Sequence, residues 1–252
     1  MTSKVSLLRR IPLKQEIFDV LHQDILSGHY PSGAWLRQEE ISKRLGVSMT
    51  PVREALDLLV SSGLAERVAY RGVRILQMDG PDILDAYEMR LLLEASAAWA
   101  AAKNVSPAQL DQLEALLEEG EGLFKLESLP RAREVSRKLH LTIVDAGGND
   151  LRLRIYREAL RAFPDWMLYE HLYRKPALLQ DSLRDEQKEH RLIVEALGAR
   201  DPDSAMQRAM EHVVARGHEL ELYLGISRAD LAAREAQVRY LLPELEAQTS
   251  HP

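Results

Sequence analysis

Apolar residues recur along most of this chain at intervals of three and four, the spacing of one face of an α-helix. Ile17, Val20, Leu21 and Ile25 form such a stripe in a helix predicted over residues 11–27, which Gly28 closes. Ile41 and Leu45 share one side of a short helix that Gly46 stops, since glycine reaches the left-handed conformation of a sharp turn. Ser48 or Thr50 then caps a second helix, and Pro51 fits its first turn. Val52, Leu56, Leu59 and Val60 line its inner face. Two short helices across a tight glycine turn predict a helix-turn-helix, whose second helix is shaped for a DNA major groove. Gly63 ends that helix, and residues 64–68 and 73–76 read as strands of a β-hairpin around Tyr70-Arg71-Gly72. Trp35 reads as a plug in the core of this small head.

The strand signal stops at Met78-Asp79-Gly80-Pro81, so the chain divides into residues 1–79, a winged helix-turn-helix, and residues 80–252, an all-α bundle. Helices are predicted over 82–103, from Pro107 to about 126, and over 130–146, 151–163 (interrupted near Pro164), 177–197, 202–224 and 228–241. Ser106 with Gln109 has capping-box spacing, and Asp201-Pro202 is a cap followed by a first-turn proline. The fold class is therefore mostly α, with a small β-hairpin wing in the first domain.

Composition narrows this picture. The chain has 252 residues, 46% of them hydrophobic, enough for two ordinary domains. No apolar run approaches the roughly 20 residues of a membrane span, and the first ten residues are polar and basic, without a signal-peptide core. Cysteine is absent, which excludes disulfides and thiolate metal sites. A cytoplasmic protein is expected. The net charge of −6 looks wrong for a DNA binder, but its distribution matters more. Residues 1–79 hold 11 basic and 9 acidic side chains, leaving 22 basic and 30 acidic for the rest. An acidic body behind a mildly basic head fits a protein whose head alone meets phosphates.

Two groups of residues carry candidate chemistry. At the start of the second short helix, Ser48, Met49, Thr50 and Arg53 face the groove, and Arg71 at the hairpin tip is placed for an adjacent minor groove or phosphate. In the bundle, His140, His190 and His212 lie on three predicted helices beside apolar neighbours. Gathered together, three imidazoles with an open position suit Zn, Ni or Mn; equally, the three can lie apart on helix surfaces. Arg90 is placed either to grip a carboxylate in bidentate fashion or to pair with Glu94 one turn on. The acidic pairs Glu118-Glu119 and Asp185-Glu186 read as solvated faces. Trp99, Trp166, Tyr169 and Tyr173 read as packing or dimer contacts. No nucleophile elbow, phosphate loop or general base beside the histidines is evident, which argues against an enzyme.

Residues 46–56, Gly-Val-Ser-Met-Thr-Pro-Val-Arg-Glu-Ala-Leu, resemble the signature of GntR-type winged-helix regulators, usually G-V-S-R-T-P-V-R-E-A-L. Met49 departs from it where the family carries a base-reading arginine. A thioether is limited to apolar contacts such as a thymine methyl, so the departure bears on which operator is read. The resemblance implies that Thr50 and Arg53 contact DNA, with Arg37, Arg71 and Gly72 in support. Residues 82–224 resemble the helical effector domain (FCD type) of the FadR-like branch, through Arg90-x-x-x-Glu94, His140 with Ala146-Gly147-Gly148-Asn149, Glu189-His190 and Met210-Glu211-His212. In many members an aspartate four residues before the first histidine completes an Asp-His-His-His metal site. Here that position is Ser136, a poor ligand, so weaker metal binding is expected, or a site filled by water or effector. The resemblance also implies a homodimer on a palindromic operator, repression relieved by a small carboxylate effector, and roles for Arg90, Ser136 and Asn149 around that effector. The alternatives are a ligand-blind dimeric DNA-binding protein and a metal-dependent hydrolase fused to a DNA-binding head.

Overall fold

The computed structural model describes residues 12–163, 172 and 175–241. The expected basic arm, Ile11, the interruption at Pro164, and Trp166, Tyr169 and Tyr173 lie outside them. The chain passes from one compact unit to a second between Gln77 and Met78.

The first unit runs α1 (Leu13–Leu26), β1 (Trp35–Leu36), α2 (Gln38–Leu45), α3 (Met49–Ser61), β2 (Ala65–Val68) and β3 (Gly72–Ile75). Its antiparallel sheet has the order β1-β3-β2, with Trp35 opposite Arg74 and Glu66 opposite Arg74 from the other side. Ile17, Leu21 and Ile25 from α1, Ile41 from α2, and Val52, Ala55, Leu56 and Leu59 from α3 are at most 3% exposed. Burying each large side chain contributes about 1.5–3 kcal/mol. The turn between α2 and α3 follows from Gly46, at φ 67°. The Val47 N–H donates to the Ser42 carbonyl, and the Ser42 hydroxyl donates back to the Val47 carbonyl.

Three local expectations are corrected here. Val20 is 41% exposed, because Leu21 already fills the inner face at that level. Ser48 occupies the N-cap position of α3, yet neither it nor Thr50 caps through its side chain. Trp35 is half-buried rather than a plug: it belongs to β1, and the Arg74 guanidinium lies 5.7 Å from its ring centroid. Two residues are too few for an alternating pattern, so β1 has no periodic signature of its own.

The second unit is all α among its described residues: α4 (Gly80–Asn104), α5 (Pro107–Gly120), a 3-10 turn (Leu126–Ser128), α6 (Leu129–Ala146), α7 (Asp150–Ala162), α8 (Pro176–Gly198), α9 (Pro202–Leu224) and α10 (Arg228–Leu241). Asp79 and Asp82 form a reciprocal capping box that starts α4, and Ser106 with Gln109 does the same for α5. α5 ends at Gly120, earlier than its periodicity predicted, because Glu121 is extended and Gly122 sits at φ 88°. Small residues bring the central helices close. A Cβ on Gly217 of α9 would meet the Tyr87 hydroxyl of α4 at 2.5 Å. One core gathers Ala98, Leu113, Leu139, Ile193 and Ala205; a second gathers Tyr87, Leu91, Met210, Leu220 and Leu231. Between them α6, α8 and α9 turn polar side chains inward.

Candidate operator-binding face and buried histidine site

Ser48, Met49, Thr50 and Arg53 are all exposed on the first turns of α3, opposite the buried Val52, Ala55 and Leu56. Met49 and Arg53 are four apart and share a face, and Met49 is 52% exposed, unusual for a side chain that costs free energy in water. Arg37, at the N-cap of α2, is exposed and pairs with Glu40 at 3.7 Å. At the hairpin tip Arg71 is exposed and Gly72 adopts φ 114°. Tyr70 beside it sits at φ 62° with its ring fully exposed. That residue was not among the sequence candidates, although an aromatic at a hairpin tip is itself a signal of contact. Arg67 and Arg74 are held within the wing and its neighbour by Asp57 and Glu66.

In the bundle, the structure brings His140 of α6, His190 of α8 and His212 of α9 together. Their centroids are 4.8–4.9 Å apart, and one ligand atom from each lies within 4.8 Å of the others. All three are at most 5% exposed. The Nε2 atoms of His140 and His190 stand 3.1 Å apart. The other side of each ring faces an acid in two cases: Glu94 at 3.3 Å from His140 Nδ1, and Glu189 at 2.8 Å from His212 Nδ1. Such carboxylate–histidine pairs fix the tautomer that leaves Nε2 as a lone-pair donor.

The electrostatics favour that state. Burial, reinforced by His140, holds His190 down at about 3, and burial with both neighbouring rings holds His212 well below the usual histidine range. Burial alone would raise Glu94, but Arg90 and then His140 outweigh it and keep the carboxyl well below its ordinary value. Glu186 follows the same pattern, with Arg133 and His190 outweighing burial. Glu189 goes the other way, pushed by burial up to about 7 despite Arg216. For His190 and His212 the neutral imidazole so favoured is the ligand state a divalent ion requires. The Nε2 of His212 is buried without a hydrogen-bond partner among the described residues, which a bound ion would supply. The residues present therefore fit such an ion.

The other candidates are placed differently. Arg90 donates to Glu94 at 2.6 Å, and both are at most 4% exposed, with the guanidinium 4.4 Å from the Phe163 ring centroid. Of its two readings, the same-helix pair is the one formed, but it is buried and orients Glu94 toward His140. Tyr156 donates a second hydrogen bond to Glu94 at 3.0 Å. Asn149 is exposed and caps α7 by accepting from the Arg152 N–H. Ser136 is buried and donates to Glu186 at 2.9 Å. Glu186 is not on a solvated face: it is 4% exposed and held by Arg133 at 2.8 and 3.0 Å. Only Asp185 of that pair behaves as expected, paired with Lys188 at the surface. The missed signal was helical spacing, since Glu186 precedes His190 by four residues, as Ser136 precedes His140.

A winged helix with an exposed recognition face, in one chain with a helical bundle around a polar cluster, defines a DNA-binding transcription regulator. Residues 13–75 match the model for bacterial regulatory proteins of the gntR family, and residues 85–215 match that for the FCD domain. The chain belongs to the gntR family, in the group that carries an FCD domain, and is a regulator rather than an enzyme. It is 30% identical to a probable D-xylose utilization operon transcriptional repressor of Paenarthrobacter nicotinovorans, over 82% of this chain and 88% of the relative. It is 28% identical to the HTH-type transcriptional repressor RspR of Escherichia coli (strain K12), over 83% and 89%. The solved structure of E. coli McbR/YncC shares the fold with a TM-score of 0.59 at 23% identity, over 85% of this chain and 100% of that one. A putative transcriptional regulator from Rhodococcus sp. RHA1 gives 0.57 at 19%, over 85% and 99%.

Proposed function

We propose that this chain is a ligand-responsive repressor, cytoplasmic and homodimeric, that binds a palindromic operator and senses a small carboxylate in its helical unit. Arg53, Thr50, Ser48 and Met49 read the major groove, with Arg37 and the wing residues Arg71 and Gly72 on the backbone or minor groove. The observation that carries the sensor reading is the convergence of three buried imidazoles from three helices. His140, His190 and His212 would hold a divalent ion such as Zn, Ni or Mn, which supplies open Lewis-acidic positions for a carboxylate. Glu94 and Glu189 hold two of the rings in their donor tautomer, and Arg90 and Tyr156 fix Glu94. Ser136 and Asn149 belong to the effector set by resemblance; of the two, Ser136 is the one beside the histidine cluster. The effector acts by its differential affinity for two arrangements of the regulator.

A thermal-shift screen of organic acids, run with Zn2+, Ni2+ or Mn2+ and again with chelator, tests this directly. The expected result is an acid whose stabilisation depends on the ion and which lowers operator affinity in a gel shift. If no acid moves either the melting temperature or DNA affinity, the bundle is a ligand-blind scaffold and the sensor reading is wrong.

A further inference from the structure

Three imidazoles and a divalent ion leave two positive charges buried, and the resemblance expects an aspartate where this chain has Ser136. Of the acids around the cluster, Glu94 and Glu189 approach the rings from behind, at Nδ1. Glu186 approaches from the front. Its Oε1 lies 3.8 Å from the Nε2 of His190, the same nitrogen that stands 3.1 Å from His140 Nε2. Two donors of one ion, each bonded at about 2.0–2.2 Å, lie at most about 4.3 Å apart, which these two separations meet; the donors grouped within 4.8 Å of one another are the three histidines, so Glu186 would close on the ion from the His190 side. The same Oε1 accepts the Ser136 hydroxyl at 2.9 Å.

We infer that Glu186 is the anionic ligand of this site, and that Ser136 orients it instead of coordinating. The carboxylate role has moved from α6 to α8 while keeping its relation to a histidine, four residues before His190. Arg133 does not oppose this. Its Nη1 spans both oxygens, closer to Oε2 at 2.8 Å than to Oε1 at 3.0 Å. Retaining the Oε2 bond leaves Oε1 for the ion, the usual arrangement for a one-oxygen carboxylate ligand, whose second oxygen is hydrogen-bonded by the protein. Ser136 then plays the outer-sphere part that such ligands require. A narrow cleft lined by Gly120, Phe124, Ser136, Glu186 and His190 reaches the cluster from this side, so an effector would meet the ion next to Glu186.

This inference rests on the metal reading above, and the test separates the two. Full-length protein is stripped with chelator and titrated with Zn2+ and with Mn2+ by calorimetry. His190→Ala is expected to abolish binding. Glu186→Gln is expected to weaken it by about tenfold or more, and adding Ser136→Asp to Glu186→Gln to recover most of the loss. Arg133→Met removes the Oε2 bond but leaves the carboxylate, and is expected to weaken affinity less than Glu186→Gln does; equal losses would make the Arg133–Glu186 pair structural and overturn the ligand role. Should Glu186→Gln unfold the stripped protein, Glu186→Asp keeps the charge but shortens the reach, and is expected to show the same tenfold loss. Wild-type affinity in the folded Glu186 variant, with His190→Ala silent, overturns the role of Glu186 and leaves the metal site standing. No binding by the wild-type protein overturns both.

Discussion

Arg53 leaves α3 on the side opposite Val52 and Leu56, so its removal disturbs no packing. Arg53→Ala is expected to weaken operator binding by about 1–3 kcal/mol with unchanged thermal stability, measured by fluorescence anisotropy on operator DNA. His22 shows the converse, a residue whose effect is on folding alone. It is 8% exposed beside Phe18, its Nδ1 has no partner among the described residues, and burial holds it at about 4 against the opposing charge of Asp19. Between pH 6.5 and about 4 the unfolded chain binds a proton that the folded chain refuses. Stability conferred by the neutral ring is therefore present above the upper limit and is lost as pH falls through this window, by up to about 3 kcal/mol. His22→Leu should flatten this part of the stability–pH curve in urea titrations of the full-length protein. An unchanged curve would place the acid sensitivity elsewhere.

At the level of elements, legibility followed the length of the pattern. α2 and α3 announced themselves through Ile41, Gly46, Pro51 and Leu56, because a glycine turn between two apolar stripes has few other solutions. The capping boxes at Asp79 and Ser106 use side chains three residues apart; Ser106 with Gln109 is legible as such, whereas Asp79 sits in a Gly-Pro boundary that masks its pairing with Asp82. β1 escaped because its pairing with β3 is a long-range event that two residues cannot signal. Glu186 escaped for a different reason. A charged pair beside a lysine reads as surface, and what buries it is Arg133, 53 residues away. Helix packing supplies a further test. The close approach of α9 to α4 at Gly217 leaves no room beside the Tyr87 ring, whose hydroxyl donates to Glu235 of α10. Gly217→Ala should destabilise the bundle by about 1–3 kcal/mol, seen as a lower melting temperature with DNA contacts in the head unchanged.

For the whole molecule, charge and chemistry are divided between the two units. The head carries the small basic excess, so the salt dependence of operator binding should report on it alone. Arg71→Ala is expected to lower the slope of log K against log salt by about one if it meets a phosphate. The body carries the three clustered histidines, and here the absence of cysteine takes on meaning. His140, His190 and His212 tie α6, α8 and α9 at one point, and the first two are 50 residues apart along the chain. A shared ion at that point would cross-link these helices as a disulfide would, but reversibly. At a hundredfold excess over its dissociation constant, an ion adds about 3 kcal/mol to the folded state. The regulator's resistance to proteases would then rise and fall with the metal supply of its surroundings, so its abundance, and not its conformation alone, would carry that signal.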